Sequence, residues 1–81
     1  MLGSVSDQVL KILGERIREK RKARGWTQEE FADHAGVDRS YAGGIERGER
    51  NVTFLILCRV CTALGCDLAA LTKGLPKILP K

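Results

Sequence analysis

The chain has a single histidine, four aromatic residues (one Trp, one Tyr, two Phe), two prolines and no long apolar run; its longest is VTFLILC, from Val52 to Cys58. Each scarcity excludes something. A bilayer-spanning helix needs about 18 apolar residues, so no segment here spans a membrane. One imidazole, His34, leaves little acid–base capacity near neutral pH. No Ser/His/Asp set, pocket-forming pair of carboxylates or phosphate-cradling glycine loop accompanies it, so no catalytic apparatus is expected. The opening MLGSVSDQVL lacks the basic start, apolar middle and small-residue cleavage site of a secretory leader, and a cytosolic location is expected. Three cysteines, Cys58, Cys61 and Cys66, are an odd number for a disulfide framework in a reducing compartment. Their C-x2-C-x4-C spacing falls short of the four ligands that zinc or iron–sulfur sites take, and His34 lies in a separate segment. They are expected to pack as small apolar residues, with no metal or cofactor; a redox- or metal-sensing set is the alternative.

Eighty-one residues suit one domain with a limited core. A hydrophobic share of 43% beside 30% charged residues is that of a folded globular chain. Fourteen Lys and Arg against ten Asp and Glu leave a net charge of +4. The run ERIREKRKAR, Glu15 to Arg24, holds six basic and two acidic residues, a surplus equal to that of the whole chain. Such a run fits either a face that meets a polyanion or a plainly solvated helix face.

The periodicities predict five helices and no strand. Val5, Val9, Leu13 and Ile17 recur every fourth residue, one face of a helix ending before Gly25. Thr27 to Glu30 has the T-x-x-E form of a capping box, flanked by Trp26 and Phe31 as a hydrophobic staple; helix two would turn Phe31, Ala32 and Ala35 inward and stop at Gly36. Helix three would be capped by Asp38 and run to about Arg47, with Tyr41, Ala42 and Ile45 inward and Arg39, Ser40, Gly43, Gly44 and Arg47 outward. Thr53 would cap a fourth helix, apolar almost all round and central to the core. Asp67 would cap a short fifth through Leu68 and Leu71, after which Gly74, Pro76 and Pro80 prevent regular helix. The division expected is 1–12 as an N-terminal extension of helix one, 13–73 as the domain and 74–81 as a loose tail.

Each glycine inside a helix costs about 1 kcal/mol relative to alanine, so the pair Gly43 and Gly44 needs a reason. Three are open: close approach of helix three to a surface such as the DNA major groove, close packing against helix two, or simply a weak, frayed helix. From Gln28 to Arg47, QEEFADHAGVDRSYAGGIER resembles the helix-turn-helix of lambda-repressor-like (XRE-type) DNA-binding proteins, with Ala32 at the helix crossing, Gly36 in the turn and Ile45 on the inner face. The wider pattern LGERIREKRKARGWTQEEFADHAG, IERGERN and LGCDLAAL extends the resemblance over about residues 13–71. Within that family, DRSYAGGIERGERNVT is most similar to the controller proteins of restriction–modification systems.

The resemblance implies an all-α, compact five-helix domain that dimerises on a near-palindromic operator in double-stranded DNA, in a bacterial or phage-encoded cytoplasmic setting. It implies base contacts from Arg39, Ser40 and Gly44. Contacts to the backbone or groove edge would come from Gln28, Tyr41, Arg47, Arg50, Asn51 and Thr53, although the helical wheel turns Tyr41 inward. It further implies a salt bridge between Arg21 and Glu46, and a dimer interface from Val52, Leu55, Leu68 and Leu71, joined by Leu75, Ile78 and Leu79. Lys20 stands where the family pattern is usually apolar. The alternatives are an antitoxin with a protein partner, or a phage or plasmid repressor, on the same fold.

Overall fold

Three of the five helices begin at a residue whose side chain caps them, and all five are followed within two residues by a glycine of positive φ. The computed structural model describes residues 5–76. In order they form α1 (Val5–Ala23), α2 (Gln28–Ala35), α3 (Arg39–Glu46), α4 (Phe54–Leu64) and α5 (Leu68–Thr72), with no strand among the described residues. At the start of α2, Thr27 Oγ1 accepts from the Glu30 amide at 3.1 Å while Glu30 Oε1 accepts from the Thr27 amide at 2.8 Å, so two orphan donors are satisfied reciprocally. Thr53 caps α4 through the Ile56 amide at 3.2 Å, and Asp67 caps α5 through the Ala70 amide at 3.0 Å. Asp38 departs from its expected role. It sits at the N-cap of α3 but makes no capping bond, and its Oδ2 accepts from the Ser40 hydroxyl at 3.0 Å. Gly36, Gly48 and Gly65, at φ between 70° and 74°, close α2, α3 and α4 in the left-handed conformation that only glycine adopts without strain.

These caps leave the interior to apolar faces. Ile17 from α1, Phe31 from α2, Ile45 from α3, Val60 from α4 and Leu71 from α5 are the largest fully buried side chains, so every helix contributes one. Two expectations fail here. Helix α4 is not central: only Val60, Cys61 and Leu64 are buried, while Phe54 and Leu55 are 66% and 74% exposed. The helix packs mainly against α2 and α5, and its first turn is left in water. Leu71, expected at an interface, is fully buried in the core and has no surface to offer a partner. Ile78 and Leu79, with most of the expected tail, lie outside the described residues.

Half of the basic run from Glu15 to Arg24, namely Arg16, Arg21 and Arg24, is spent on the chain itself. Arg16 donates to the carbonyls of Leu71 and Lys73 at 3.0 and 2.8 Å, and Arg24 donates to the Leu64 carbonyl at 2.9 Å. Arg59, from α4, donates to the Gly36 carbonyl at 2.7 Å. Three helix C-termini, those of α5, α4 and α2, thereby receive a cation against their unpaired carbonyls, the sign that the helix dipole favours. Arg18 and Lys22 remain solvated, and Lys20 is half-buried.

Arg21 is buried with Glu46, at side-chain exposures of 10% and 2%. Its Nε donates to Glu46 Oε2 at 2.6 Å, its Nη2 to Oε1 at 3.0 Å, and its Nη1 to the Trp26 carbonyl at 2.8 Å. Gln28 Nε2 adds a bond to Glu46 Oε1 at 3.1 Å, so α1, α2 and α3 meet at one carboxylate. Beside this junction α1 lies directly on the last carbonyls of α3. A Cβ at Gly14 would stand 2.5 Å from the Ile45 oxygen and 2.6 Å from that of Glu46, which explains a glycine in mid-helix.

Two substitutions test this arrangement. Glu46→Gln leaves the Arg21 guanidinium buried without a counter-charge, and breaking a buried pair costs about 3–5 kcal/mol against under about 1 for an exposed one. Urea unfolding should register a loss of that larger size, and an unchanged midpoint would show the pair to be energetically exposed. Gly14→Ala should lower stability by about 1–3 kcal/mol, because the backbone oxygens that its methyl meets cannot swing aside. Should calorimetry instead show a raised melting temperature, the helix-propensity gain of about 1 kcal/mol has won and the close crossing is wrong.

Candidate nucleic-acid interface

Helices α2 and α3, joined through Gly36 to Asp38, place the first turn of α3 in water. Arg39 and Ser40 are both exposed there. Among the described residues Arg39 has no ion pair or hydrogen-bond partner for its guanidinium, whereas the Ser40 hydroxyl is already engaged with Asp38. Ala42 and Ile45 point the other way, into the core, and fix which face of α3 is outward.

The two glycines do not lie bare on that outward face. Gly43 and Gly44 are buried. A Cβ at Gly43 would stand 3.0 Å from Arg47 Nη1 and 3.3 Å from Gln28 Oε1; one at Gly44 would stand 2.9 Å from Arg50 Cγ and 3.0 Å from its Nε. What covers the pair is polar side chain, from Arg47 and from Gln28 of α2 over Gly43 and from Arg50 over Gly44. Gly44, expected to meet bases, is roofed by Arg50 and presents no surface of its own. Gln28 also differs from expectation, since one of its amide protons is committed to Glu46 and its side chain lies inward against α3.

Around this face the remaining expected residues divide by freedom. Arg47 and Glu49 pair at 3.0 Å with both side chains more than half exposed, an interaction worth under about 1 kcal/mol and easily exchanged for another anion. Arg50 and Asn51 are exposed, as is Thr53, whose oxygen is occupied in capping α4. Tyr41 follows the inward reading: its half-buried ring packs against the core, with the Arg50 guanidinium 5.4 Å from the ring centroid.

Away from α3, Leu55 is among the described residues the one expected interface residue that is exposed; Val52 and Leu68 are half-buried against the core. Val52 and Leu75 line a cleft of about 360 Å³ with Val9, Leu10 and Leu13. Phe54, beside Leu55, escaped sequence reasoning. The signal was its place directly after the Thr53 cap, in a first turn where a short helix has few neighbours on which to pack.

The cysteines are free thiols, Cys61 buried and Cys58 and Cys66 half-buried. Burial, reinforced by the neighbouring Cys66, Cys58 and Asp67, pushes the Cys61 thiol up to about 11, which withholds the thiolate that metal binding and redox exchange require. Among the described residues no three His, Cys, Asp or Glu side chains are placed to hold a metal. His34 is exposed, its ring stacked on Trp26 with centroids 4.1 Å apart and planes 8° from parallel, while Arg24 lies over Trp26 at 4.6 Å. Among the same residues no helix is long and apolar enough to cross a membrane.

The chain that presents this helix start has relatives among known proteins. The control protein C.SmaI of Serratia marcescens is 36% identical over 63 residues, covering 78% of this chain and 75% of its own. The crystal structure of the restriction-modification controller protein C.AhdI from Aeromonas hydrophila superposes with a TM-score of 0.74 at 44% identity, over 79% of this chain and 96% of that one. The immunity repressor protein of Bacillus phage phi105 is 39% identical over 59 residues, 73% of this chain but 41% of the repressor. Residues 17–71, which span the two crossed helices and their supports, match the HTH_3 family model, and the chain belongs to this helix-turn-helix family.

Proposed function

We propose that the protein is a sequence-specific, DNA-binding transcriptional regulator that acts in the cytoplasm as a two-fold dimer on a near-palindromic operator, in the manner of a restriction–modification controller. The observation that carries this is Arg39, exposed on the first turn of α3 and without an ion-pair partner among the described residues. The major groove admits a helix, and residues near its N-terminus reach base edges. Arginine presents a rigid fork of donors that matches O6 and N7 of one guanine. Ser40 reads beside it by exchanging its bond to Asp38. Arg47, Arg50 and Asn51 flank the helix where phosphates would run, with Thr53 and the second amide proton of Gln28 as neutral donors. Such contacts set register without reading sequence.

Dimerisation follows from economy and from surface. One short recognition helix reads only a few base pairs, and paired half-sites about 34–36 Å apart supply the rest. Leu55, together with Phe54, is apolar surface that a second copy would cover. The controller reading is supported by two relatives of that name that this chain spans over most of their length. The phage repressor is a longer protein, of which this chain spans 41%.

Replacing Arg39 by alanine should cost on the order of 1–3 kcal/mol per half-site at its cognate guanine and relax preference at that position alone, whereas Arg50→Ala should weaken all duplexes by similar factors. Binding is measured for both variants on the cognate duplex and on one with that guanine replaced symmetrically. Equal losses for Arg39→Ala on the two duplexes would make Arg39 a phosphate contact and displace α3 from its assigned role. With roughly three to five phosphates neutralised per subunit, log affinity should fall with log salt at a slope of about −5 to −9. A flat response would contradict the proposal.

A further inference from the structure

Arg50 is exposed, yet it is not loose. After α3 the chain reverses: the Gly48 amide donates to the Ile45 carbonyl at 3.0 Å and the Glu49 amide to the Gly44 carbonyl at 2.9 Å, with Gly48 at φ 74°. This turn returns residue 50 to the side of α3 that carries Gly44. There the aliphatic stem of Arg50 lies against the bare Cα. A Cβ built on Gly44 would stand 2.9 Å from Cγ, 3.5 Å from Cδ and 3.0 Å from Nε, three consecutive atoms of one side chain. Independently, the guanidinium lies over the Tyr41 ring, 5.4 Å from its centroid. Stem and head are thus held at two points of the same helix face, three residues apart, while no carboxylate among the described residues neutralises the head.

We infer that Gly44 is a positioning residue: its missing side chain makes a seat in which Arg50, backed by Tyr41, is held at the edge of α3 before DNA arrives. The inference rests on the DNA-binding reading above and deepens it. An arginine that must be immobilised on contact loses rotamer freedom at that moment, and one already seated has lost it on folding. Helix stability sacrificed at Gly44 is therefore recovered as readiness of a phosphate-directed cation. Gly44 touches no base in this scheme.

The test combines the free protein with DNA titrations. In DNA-free wild type, the Tyr41 ring should displace the NMR shifts of the Arg50 methylene protons, and Gly44→Ala should return them to ordinary arginine values. The methyl meets only a flexible stem, so the melting temperature of Gly44→Ala should hold or rise. Its affinity should fall by the same factor on cognate and unrelated duplexes, with a salt slope shallower by about 1 per subunit. In an Arg50→Ala background the further change Gly44→Ala should do nothing, because one contact cannot be lost twice.

Additive losses, a loss confined to one base pair, a lowered melting temperature or unshifted Arg50 protons in wild type would each overturn the seat. A wild-type protein that binds no duplex overturns the DNA-binding reading and with it the seat's purpose, and shifted Arg50 protons would then show which of the two had failed.

Discussion

Glu46 closes α3 with a carboxylate that is almost sealed from water, and it accepts hydrogen bonds from Arg21 on α1 and Gln28 on α2. A buried carboxylate without partners costs several kcal/mol on the order-of-magnitude scale of buried-charge experiments, so these three helices have one favourable relative arrangement and steep alternatives. The remaining guanidinium nitrogen of Arg21 is satisfied by the Trp26 carbonyl, and no buried side-chain nitrogen or oxygen among the described residues is left unpaired. The outward face of α3 inherits this precision. Because Ile45 and Glu46 are held inward at the end of an eight-residue helix, Arg39 and Ser40 have no freedom to rotate from the opposite face at its start.

Arginine is used in two distinct ways. Arg16, Arg24 and Arg59 each lie on the carbonyl end of a neighbouring helix, and Arg21 fills the core junction; these four are structural cations. Arg39 and Arg50 keep their charge available, and Arg47 holds it in an exposed pair with Glu49 that water screens. Hydrogen bonds to neutral carbonyls leave the charge in place, so α1 stays strongly basic; what distinguishes the region around α3 is that Arg39 and Arg50, among the described residues, keep their donors free for an added partner. A net charge read from composition does not show that difference, because it depends on which guanidiniums are already occupied.

Much of the fold was legible from local rules. The T-x-x-E of Thr27 to Glu30, the threonine and aspartate caps at Thr53 and Asp67, and the stop at Gly36 all act within a few residues of themselves, which is the range over which sequence states its own geometry. What escaped reading depends on a third element. Helix α4 is apolar on every side, so its periodicity gave no face, and only the placement of α2 and α5 shows that Leu55 is outside while Leu71 of α5 is inside. Gly43 and Gly44 were placed on the side away from Ala42 and Ile45, but the side chains that cover them come from Arg47, from Gln28, fifteen or so residues earlier, and from Arg50, after a chain reversal. Asp38 looked like a cap by type; the nearby Ser40 hydroxyl holds its carboxylate instead.

The proposed function requires that two copies present two such faces to one duplex, each aimed by its own buried carboxylate. Selection of bound duplexes from a random-sequence pool, read by sequencing at moderate salt, asks this most directly. The enriched sites should share a two-fold related consensus whose half-sites repeat about one helical turn apart, with a strongly preferred guanine in each half. An unsymmetrical consensus bound by one chain, or a pool that returns unenriched, would contradict it.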